Sequence, residues 1–400
     1  MVAMGIGILI ALVVLPTALA ARANLWVDVD GGSCARHNAS RSYADGRACN
    51  SVAAAYRAAS AGDTILVRGG TYGRQRVPGG SKRVKIKRAP GAQPVFGTTE
   101  VRGSNIVLAG FRILRKDNPG DSVSTLQVDG HDNHLVGLHV NSLNRSGMQG
   151  IYVGGNRNVL SYGSSFNVVD SNGVMVGGSH VTFNHFKVHD VRVTDQYVHN
   201  DCFYSNGPNL TVKNSRFWHC ATTDLFITRG TWWNQPLYGG VTLVNNVFEH
   251  SRMEGDKSWH YYGLSIKTNE NAITELRNWR VVNNTFETAV GGGSLPAPGT
   301  IWANNVGSWS CFSGATFIHN VGKKCSPTDT RVRRPVSCGP PVCGRVRNAR
   351  QGWVNPARHN FHLRRTAKAI NRASSKLAPD RDLDGRRRGQ NPDAGAYERH

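Results

Sequence analysis

The stretch that decides the fold repeats one short string five times: Gly150-Ile-Tyr-Val153, Gly173-Val-Met-Val176, Asp201-Cys-Phe-Tyr204, Asp224-Leu-Phe-Ile227 and Gly263-Leu-Ser-Ile266. Each copy is a turn residue followed by three residues that alternate inward, outward and inward, which is the period of a β-strand. The turn residues are separated by steps of 23, 28, 23 and 39 residues. One coil therefore takes about 23 residues, and some coils carry long insertions.

A second strand type returns between these strings and ends on an asparagine, at Asn214, Asn245 and Asn283. A phenylalanine follows three residues after each of them, at Phe217, Phe248 and Phe286. A chain that closes a coil every 23 or so residues stacks parallel strands about 4.8 Å apart, and the corner amides can hydrogen-bond from coil to coil. The sequence therefore predicts an all-β fold, a β-solenoid. The alternative is an antiparallel sandwich, which would not return an Asn corner and a Gly/Asp corner in fixed order.

Composition excludes several other classes. The 400 residues carry a formal charge of +22, with 39% hydrophobic residues and 45 glycines, which fits neither collagen, coiled coil nor a wholly disordered chain. At the N-terminal end of the solenoid, residues 50–60 predict a short capping helix with Val52, Ala55 and Tyr56 on one face. From residue 321 onward the alternation stops, so we expect the solenoid over residues 24–320 and a basic, disulfide-stapled tail over residues 321–400 that packs on it.

The N-terminus indicates export. Residues 5–15 form an apolar run, and small residues follow it, so we predict a signal peptide over residues 1–23, cleaved near Ala20 or Ala23. No Lys or Arg precedes the run, and an uncleaved membrane anchor is therefore the alternative. The mature protein is expected outside the cytoplasm, as a monomer.

The eight cysteines agree with this compartment, because they form sequence-local couples. The expected disulfide cysteines are Cys34 with Cys49, Cys202 with Cys220, Cys311 with Cys325, and Cys338 with Cys343. None of the couples has zinc-ligand spacing. Cys202 falls at an inward position of its string, so a buried thiol is the alternative for that couple.

Two segments carry a family resemblance. Leu25-Trp-Val-Asp-Val-Asp-Gly-Gly32, followed after the helix by Ala61-Gly-Asp-Thr-Ile-Leu-Val-Arg-Gly-Gly-Thr-Tyr72, resembles the opening of secreted right-handed parallel β-helix proteins of the pectin lyase-like superfamily. The closing segments, Asp380-Arg-Asp-Leu-Asp-Gly385 and Asp393-Ala-Gly-Ala-Tyr-Glu398, are similar to the end of many such proteins. The resemblance implies a single-stranded right-handed parallel β-helix. It gives no single chemistry, because the superfamily contains polysaccharide lyases, hydrolases, epimerases and members of no known activity.

Asp201 and Asp224 occupy the same position of their strings, so stacking is expected to bring two carboxylates together as an acid–base pair or as calcium ligands. An ordinary corner cap is the alternative. Gly263-Leu-Ser-Ile-Lys267 resembles the Lys-bearing motif of polygalacturonases, although no Gly-His-Gly element precedes it. Arg229 or calcium could neutralise a uronate carboxylate, and His199 or Lys267 could remove its C5 proton. A solvated surface is the alternative for each cation.

Aromatic residues near these positions are expected to contact sugar rings. An outward stripe of Tyr152, Met175, Phe203 and Phe226 follows the strings. Two insertions next to Asp224 and Lys267 add Trp232, Trp233, Trp259, Tyr261 and Tyr262. The alternative is that the C-terminal tail lies across the stripe and buries it.

The expected partner is an acidic polysaccharide or an anionic cell envelope. Residues 331–400 hold 17 Lys and Arg against 5 Asp and Glu, a density that attracts anionic polymers. Nucleic acid is disfavoured by export and by the absence of a binding motif. Asp380, Asp382 and Asp384 have the spacing of half a calcium loop, but Asn391 takes its twelfth position, so a closing turn is favoured. The sequence thus predicts polysaccharide cleavage by β-elimination; a non-catalytic glycan-binding protein and a polygalacturonase-like hydrolase are the alternatives.

Overall fold

The computed structural model describes residues 21–116, 123–194, 200–229, 237–249, 262–267, 273–293, 295–332 and 352–399. The chain winds into a β-solenoid whose coils each contribute one strand to up to three parallel faces. The predicted all-β solenoid is therefore confirmed. In these described ranges, no helix has both the length and the apolar character that a membrane span requires.

Face 1 is a sheet of twelve strands: Leu25–Val27, Thr64–Val67, Val84–Arg88, Ile106–Ala109, His134–Val136, Val159–Ser161, Thr182–Asn184, Thr211–Lys213, Thr242–Val244, Arg280–Val282, Ile301–Ala303 and Thr316–Ile318. Face 2 contains Gly70–Thr71, Pro94–Phe96, Arg112–Leu114, His139–Asn141, Ser164–Val169, Lys187–Arg192, Arg216–Trp218, Val247–Phe248, Thr285–Gly291, Val306–Ser308, Val321–Gly322 and Thr330–Arg331. Face 3 contains Gln75–Gly80, Thr99–Gly103, Leu126–Val128, Ile151–Val153, Val174–Val176, Phe203–Ser205, Thr223–Ile227 and Tyr262–Ile266, and it ends on the last residues of Thr285–Gly291. The short strands Leu237–Gly239 and Glu275–Arg277 pair separately.

Asparagine forms the corner between faces 1 and 2, as predicted. Asn214, Asn245 and Asn283 have φ values of 52°, 56° and 55°, in the left-handed region that Asn tolerates better than most residues. Their amides bond along the stack, since Asn245 Nδ2 donates to Asn214 Oδ1 over 3.2 Å. The corner asparagines thus hold neighbouring coils in register.

A second, buried row of asparagines lies one residue further along the chain, at Asn246, Asn284, Asn305 and Asn320. The Oδ1 atom of each later residue accepts the backbone N–H of the earlier one, over 3.0 Å for Asn246 and 2.9 Å for Asn284 and Asn305. The Nδ2 atoms of Asn284, Asn305 and Asn320 donate to backbone carbonyls of face 1 strands. The polar groups of these side chains inside the corner are therefore satisfied. This inner row was not predicted.

Aromatic rings fill the interior beside the corner. Phe217 stacks on Phe248 with ring centroids 5.1 Å apart, and Phe248 stacks on Phe286 at 4.8 Å. These are the phenylalanines that recur after each corner asparagine. Their repeat is therefore the sequence signature of a packed core column.

The predicted capping helix is confirmed as Val52–Ala58. The Ser51 side chain caps it by accepting the Ala54 N–H over 3.2 Å. Val52, Ala55 and Tyr56 are buried, so the helix covers the open end of the first coils. Short 3₁₀ turns lie at Asp45–Arg47 and Pro356–Arg358.

Three of the expected disulfides are formed, between Cys34 and Cys49, Cys202 and Cys220, and Cys311 and Cys325. The buried-thiol alternative for Cys202 is therefore wrong. Cys338 and Cys343 lie outside the described residues.

The C-terminal tail packs on face 2 and on the asparagine corner. Paired strands continue to Thr330–Arg331, beyond the expected end near residue 320. A hairpin of Trp353–Asn355 and Asn360–Leu363 follows. Its residues Trp353 and Phe361 join Val247, Val306 and Val321 of face 2 in one apolar cluster. Arg388 Nη2 donates to the corner residue Asn245 over 3.0 Å. The described tail thus occupies a different face from the predicted aromatic stripe.

Candidate functional site

The outward side of face 3 carries the aromatic stripe. Strand register aligns Tyr152, Met175, Tyr204, Phe226 and Ser265 in one column. All five side chains are half-buried, and the rings of Tyr204 and Phe226 lie 5.6 Å apart. The stripe therefore exists, with Tyr204 as a member that sequence analysis missed.

Phe203 does not belong to the stripe, and this expectation was wrong. It aligns with Val174 and Leu225 in the inward column and is fully buried. The cause is a register offset, because Val174 and Phe203 are 29 residues apart whereas the turn residues of the strings differ by 28. One additional residue before the strand moves every following side chain to the opposite side.

The same offset separates Asp201 from Asp224. Asp224 aligns with Cys202 and Gly263, one position later than Asp201. Both aspartates are fully buried, and Asp201 Oδ1 accepts the Thr222 hydroxyl over 2.8 Å. The expected shared column is therefore wrong, and neither carboxylate is presented to solvent. Their catalytic and metal-binding roles remain predictions.

Asp224 lies in an unfavourable environment for a charge. Burial raises the pKa of its carboxyl well above the ordinary value, and the nearby carboxylates of Glu249, Glu287 and Asp201 raise it further. Although their columns differ, Asp201 and Asp224 thus interact electrostatically. A neutral carboxylic acid can act as a hydrogen-bond donor inside the coil.

Asp224→Asn is expected to stabilise the fold at pH 7. Because the folded pKa is raised, the folded state binds a proton more tightly than the unfolded chain, whose aspartate has the ordinary pKa of 3.8. The free energy of unfolding of the wild type should fall as pH rises above that value until the folded pKa is passed, and the asparagine variant should lack this fall. We expect the variant to be more stable than the wild type at pH 7, by a margin that shrinks as the pH falls toward 3.8.

Urea unfolding between pH 4 and pH 8 measures this effect. Asp132→Asn is the control, because the Asp132 carboxylate pairs with Arg157 at the surface and has a lowered pKa. That variant should follow the wild-type profile above pH 4. A stability loss in Asp224→Asn at pH 7 would contradict the assignment of a buried, protonated carboxyl.

Lys267 and Arg229 lie at the other end of the strands. The Lys267 backbone N–H donates to the Ile227 carbonyl over 2.9 Å. Lys267 therefore lies beside the end of the strand Thr223–Ile227, which Arg229 follows two residues later. Lys267 is four residues past Gly263, the register partner of Asp224, and so about 13 Å along the strand from it. Lys267 therefore lies at the opposite end of these strands from the two aspartates.

Lys267 nevertheless lies beside the stripe. It lies two residues after Ser265, so its side chain leaves on the outward side, and it is half-buried, as is Arg229. The Tyr204 hydroxyl bonds to Thr228 of the adjoining coil. Lys267 thus lies next to the aromatic column, and Arg229 follows Thr228 in the chain.

Several predicted residues lie outside the described part of the chain, namely His199, Trp232, Trp233, Trp259 and Tyr261. Tyr262 is described and half-buried. A Cβ on Gly291 would meet the Tyr262 ring at 3.0 Å. Since Gly291 follows Ser265 in the outward column, Tyr262 extends the stripe by one coil.

The arrangement of the described carboxylates bears on the expected calcium site. The one group of three acidic residues close enough to share an ion there is Asp28, Asp30 and Asp45, near the N-terminal cap. At the closing turn, both Asp382 oxygens accept backbone N–H groups, from Arg386 and Glu398. Asp201 and Asp224 offer two buried carboxylates, whereas calcium takes six to eight oxygen ligands. A calcium site at this pair stays a prediction.

Comparison with known proteins agrees with the architecture. Residues 124–320 match the family model of the right handed beta helix region. The structure is similar to that of pectate lyase Pel9A, with a TM-score of 0.51 and 17% identity over 94% of this chain and 96% of that one. Xylose-bound XylC gives a TM-score of 0.48 and 9% identity, covering 74% of this chain and 75% of that one. No curated protein matches the sequence.

At 17% identity, the likeness to Pel9A concerns the fold alone. It extends over nearly the whole of both chains, and the matched family region spans the coils that carry the aromatic stripe. The chain therefore has the fold of a right-handed parallel β-helix, and its residues 124–320 match the family model of that name.

Proposed function

We propose that this protein binds an acidic polysaccharide along the outward side of face 3 and cleaves it by β-elimination. The observation that carries the proposal is the half-buried column of Tyr152, Met175, Tyr204 and Phe226, with Lys267 beside it and Arg229 three residues past Phe226. Apolar rings contact the carbon surfaces of sugars, and cations attract uronate groups. The fold shared with pectate lyase Pel9A supports the same class of reaction.

The chemistry assigns a role to each cation. Arg229 would neutralise the uronate carboxylate, which makes the neighbouring C5 proton more acidic. The Nζ atom of Lys267 would take that proton as the general base. The electron pair of the C5–H bond then forms a C4–C5 double bond as the C4–O bond breaks, and the departing oxygen takes a proton from solvent. No carboxylate is needed in this step.

Hydrolysis is less well supported by the geometry. A glycosidase places two carboxyl groups on either side of the scissile bond, and both Asp201 and Asp224 are fully buried. A non-catalytic binding protein would use the same aromatic column and cations. The proposal also includes an extracytoplasmic location, which the three disulfides support.

A substrate panel tests the proposal. The full chain is incubated with polygalacturonate, alginate and a glycosaminoglycan, each with and without calcium. We expect absorbance of unsaturated uronate to rise with one of the polymers. New reducing ends without this absorbance would identify a hydrolase. Retention on a polymer with neither product would identify a binding protein, and both outcomes would overturn the lyase proposal.

A further inference from the structure

Face 2 carries a second aromatic column on its outward side. Phe166, His189 and Trp218 are register partners in three successive coils. Their rings stack with centroids 5.1 Å and 4.2 Å apart and planes within 12° of each other. The inward neighbours Val188 and Phe217 are fully buried, whereas the three stacked rings are half-buried. The column therefore forms part of the protein surface over about 10 Å, two ladder spacings.

Parallel stacking determines which part of each ring meets solvent. Because the ring faces cover one another along the solenoid axis, their edges point outward. The edge of an aromatic ring carries partial positive charge. His189 Nδ1 bonds to the Asp190 carboxylate over 2.8 Å, which fixes the ring and leaves the Nε2 side of the imidazole away from that bond. The column thus presents a row of weakly positive edges.

Full cations lie in the adjoining outward column. It runs through Arg112, His139, Ser164 and Lys187, and the side chains of Arg112 and Lys187 are exposed. Burial and then the positive fields of Lys187, Arg112 and Arg88 lower the pKa of His139. These cations therefore act on one shared patch.

The carboxylates beside the column already have hydrogen-bond partners within the protein. Burial opposes the charge on Asp190, but hydrogen bonds from His189 and His219 outweigh it and hold its pKa well below the ordinary value. Glu249, the next residue of the aromatic column, bonds to Arg216 and to His359 of the tail. His359 also lies 6.1 Å from the Trp218 ring, so the tail ends the open column there.

We propose that this outward patch of face 2 is a second binding site for an acidic polysaccharide, separate from the stripe of face 3. Uronate carboxylates would lie against the ring edges and the cations of Arg112 and Lys187. The ladder spacing of about 4.8 Å is close to the length of one pyranose residue, so successive sugars can meet successive coils. A site of this kind would hold the polymer while face 3 acts on another part of it.

Affinity electrophoresis of the full chain in gels containing polygalacturonate or alginate tests the site. The variant is Phe166→Ala/Lys187→Ala, and the matched control is Tyr162→Ala/Lys213→Ala. The control removes the exposed ring of Tyr162, one residue past a face 1 strand, and the exposed lysine at the end of another face 1 strand. We expect the face 2 variant to bind at least one polymer about tenfold more weakly, and the control to bind as the wild type does. Thermal unfolding of both variants verifies that the fold is retained, and Lys187→Glu alone should weaken binding if the ring substitution prevents folding.

Gels containing polyphosphate separate sugar recognition from charge alone. Retention of the face 2 variant equal to that of the control would overturn the proposal. An equal loss of affinity for polyphosphate would also overturn it, because the site would then recognise any polyanion. Cleavage of short uronate oligosaccharides should be unaffected by the face 2 variant. The binding test of the face 2 site is therefore independent of the cleavage activity proposed for face 3.

Discussion

Lys267→Ala is expected to lower the rate of unsaturated-uronate formation by about 100-fold or more, because a general base contributes 10²–10⁴-fold. The side chain lies on the outward side of face 3, beside the coil that carries Phe226 and Arg229. Its removal leaves the stripe in place, so polymer binding should fall far less than the rate. Initial rates at saturating polymer and retention in affinity gels measure the two effects separately.

Two variants sharpen this test. Lys213→Ala removes an exposed lysine at the end of a face 1 strand and should leave the rate unchanged. Lys267→Arg keeps the positive charge, but a guanidinium is not deprotonated at ordinary pH and cannot act as the base. If Lys267→Arg restored the rate, the residue would act by charge alone. An active Lys267→Ala would remove it from the reaction.

Asn284→Ala should cost about 2–6 kcal/mol of unfolding free energy. The side chain is fully buried, its Oδ1 accepts the Asn246 N–H over 3.0 Å and its Nδ2 donates to the Leu243 carbonyl over 2.9 Å. Truncation leaves both backbone groups buried without these bonds, at about 1–3 kcal/mol each. Urea unfolding followed by circular dichroism measures the loss.

Asn38→Ala is the control for this substitution. Asn38 is exposed and bonds only at the surface with Arg36 among its described contacts, so its loss should change stability by less than about 0.5 kcal/mol. Equal stability of both variants would show that coil register does not depend on the inner asparagine row.

The architecture could be predicted from the sequence because each coil repeats its corner and its core. The strings after Gly150 and Gly173 and the phenylalanines after Asn214 and Asn245 all lie where their spacing indicates. The three disulfides could be predicted because each joins two cysteines that are close in sequence, 14 to 18 residues apart. Repetition predicts whatever is common to the coils.

The candidate site was less predictable because it depends on where coils differ. One additional residue between Val174 and Phe203 moved Asp201 out of the Asp224 position, and the sequence does not mark which residue is additional. The face 2 column was visible in principle. Phe166, His189 and Trp218 follow the same steps of 23 and 29 residues as Ile151, Val174 and Phe203. Their differing residue types hid the repeat.

The position of the C-terminal tail, packed on face 2 and on the asparagine corner, has a consequence for the order of folding. Coils can form one after another as the chain is made, since residues in contact along a face are usually separated by about one coil. Arg388, in contrast, bonds to Asn245 across 143 residues, and Asn283 bonds to Gly395 across 112. Contacts between residues so far apart in sequence form slowly and late in folding. The apolar strip around Val247, Val306 and Val321 must therefore stay uncovered until the tail residues that pack on it, from Trp353 to Tyr397, have been made, and a nascent chain that stalls before them exposes an apolar surface that promotes aggregation.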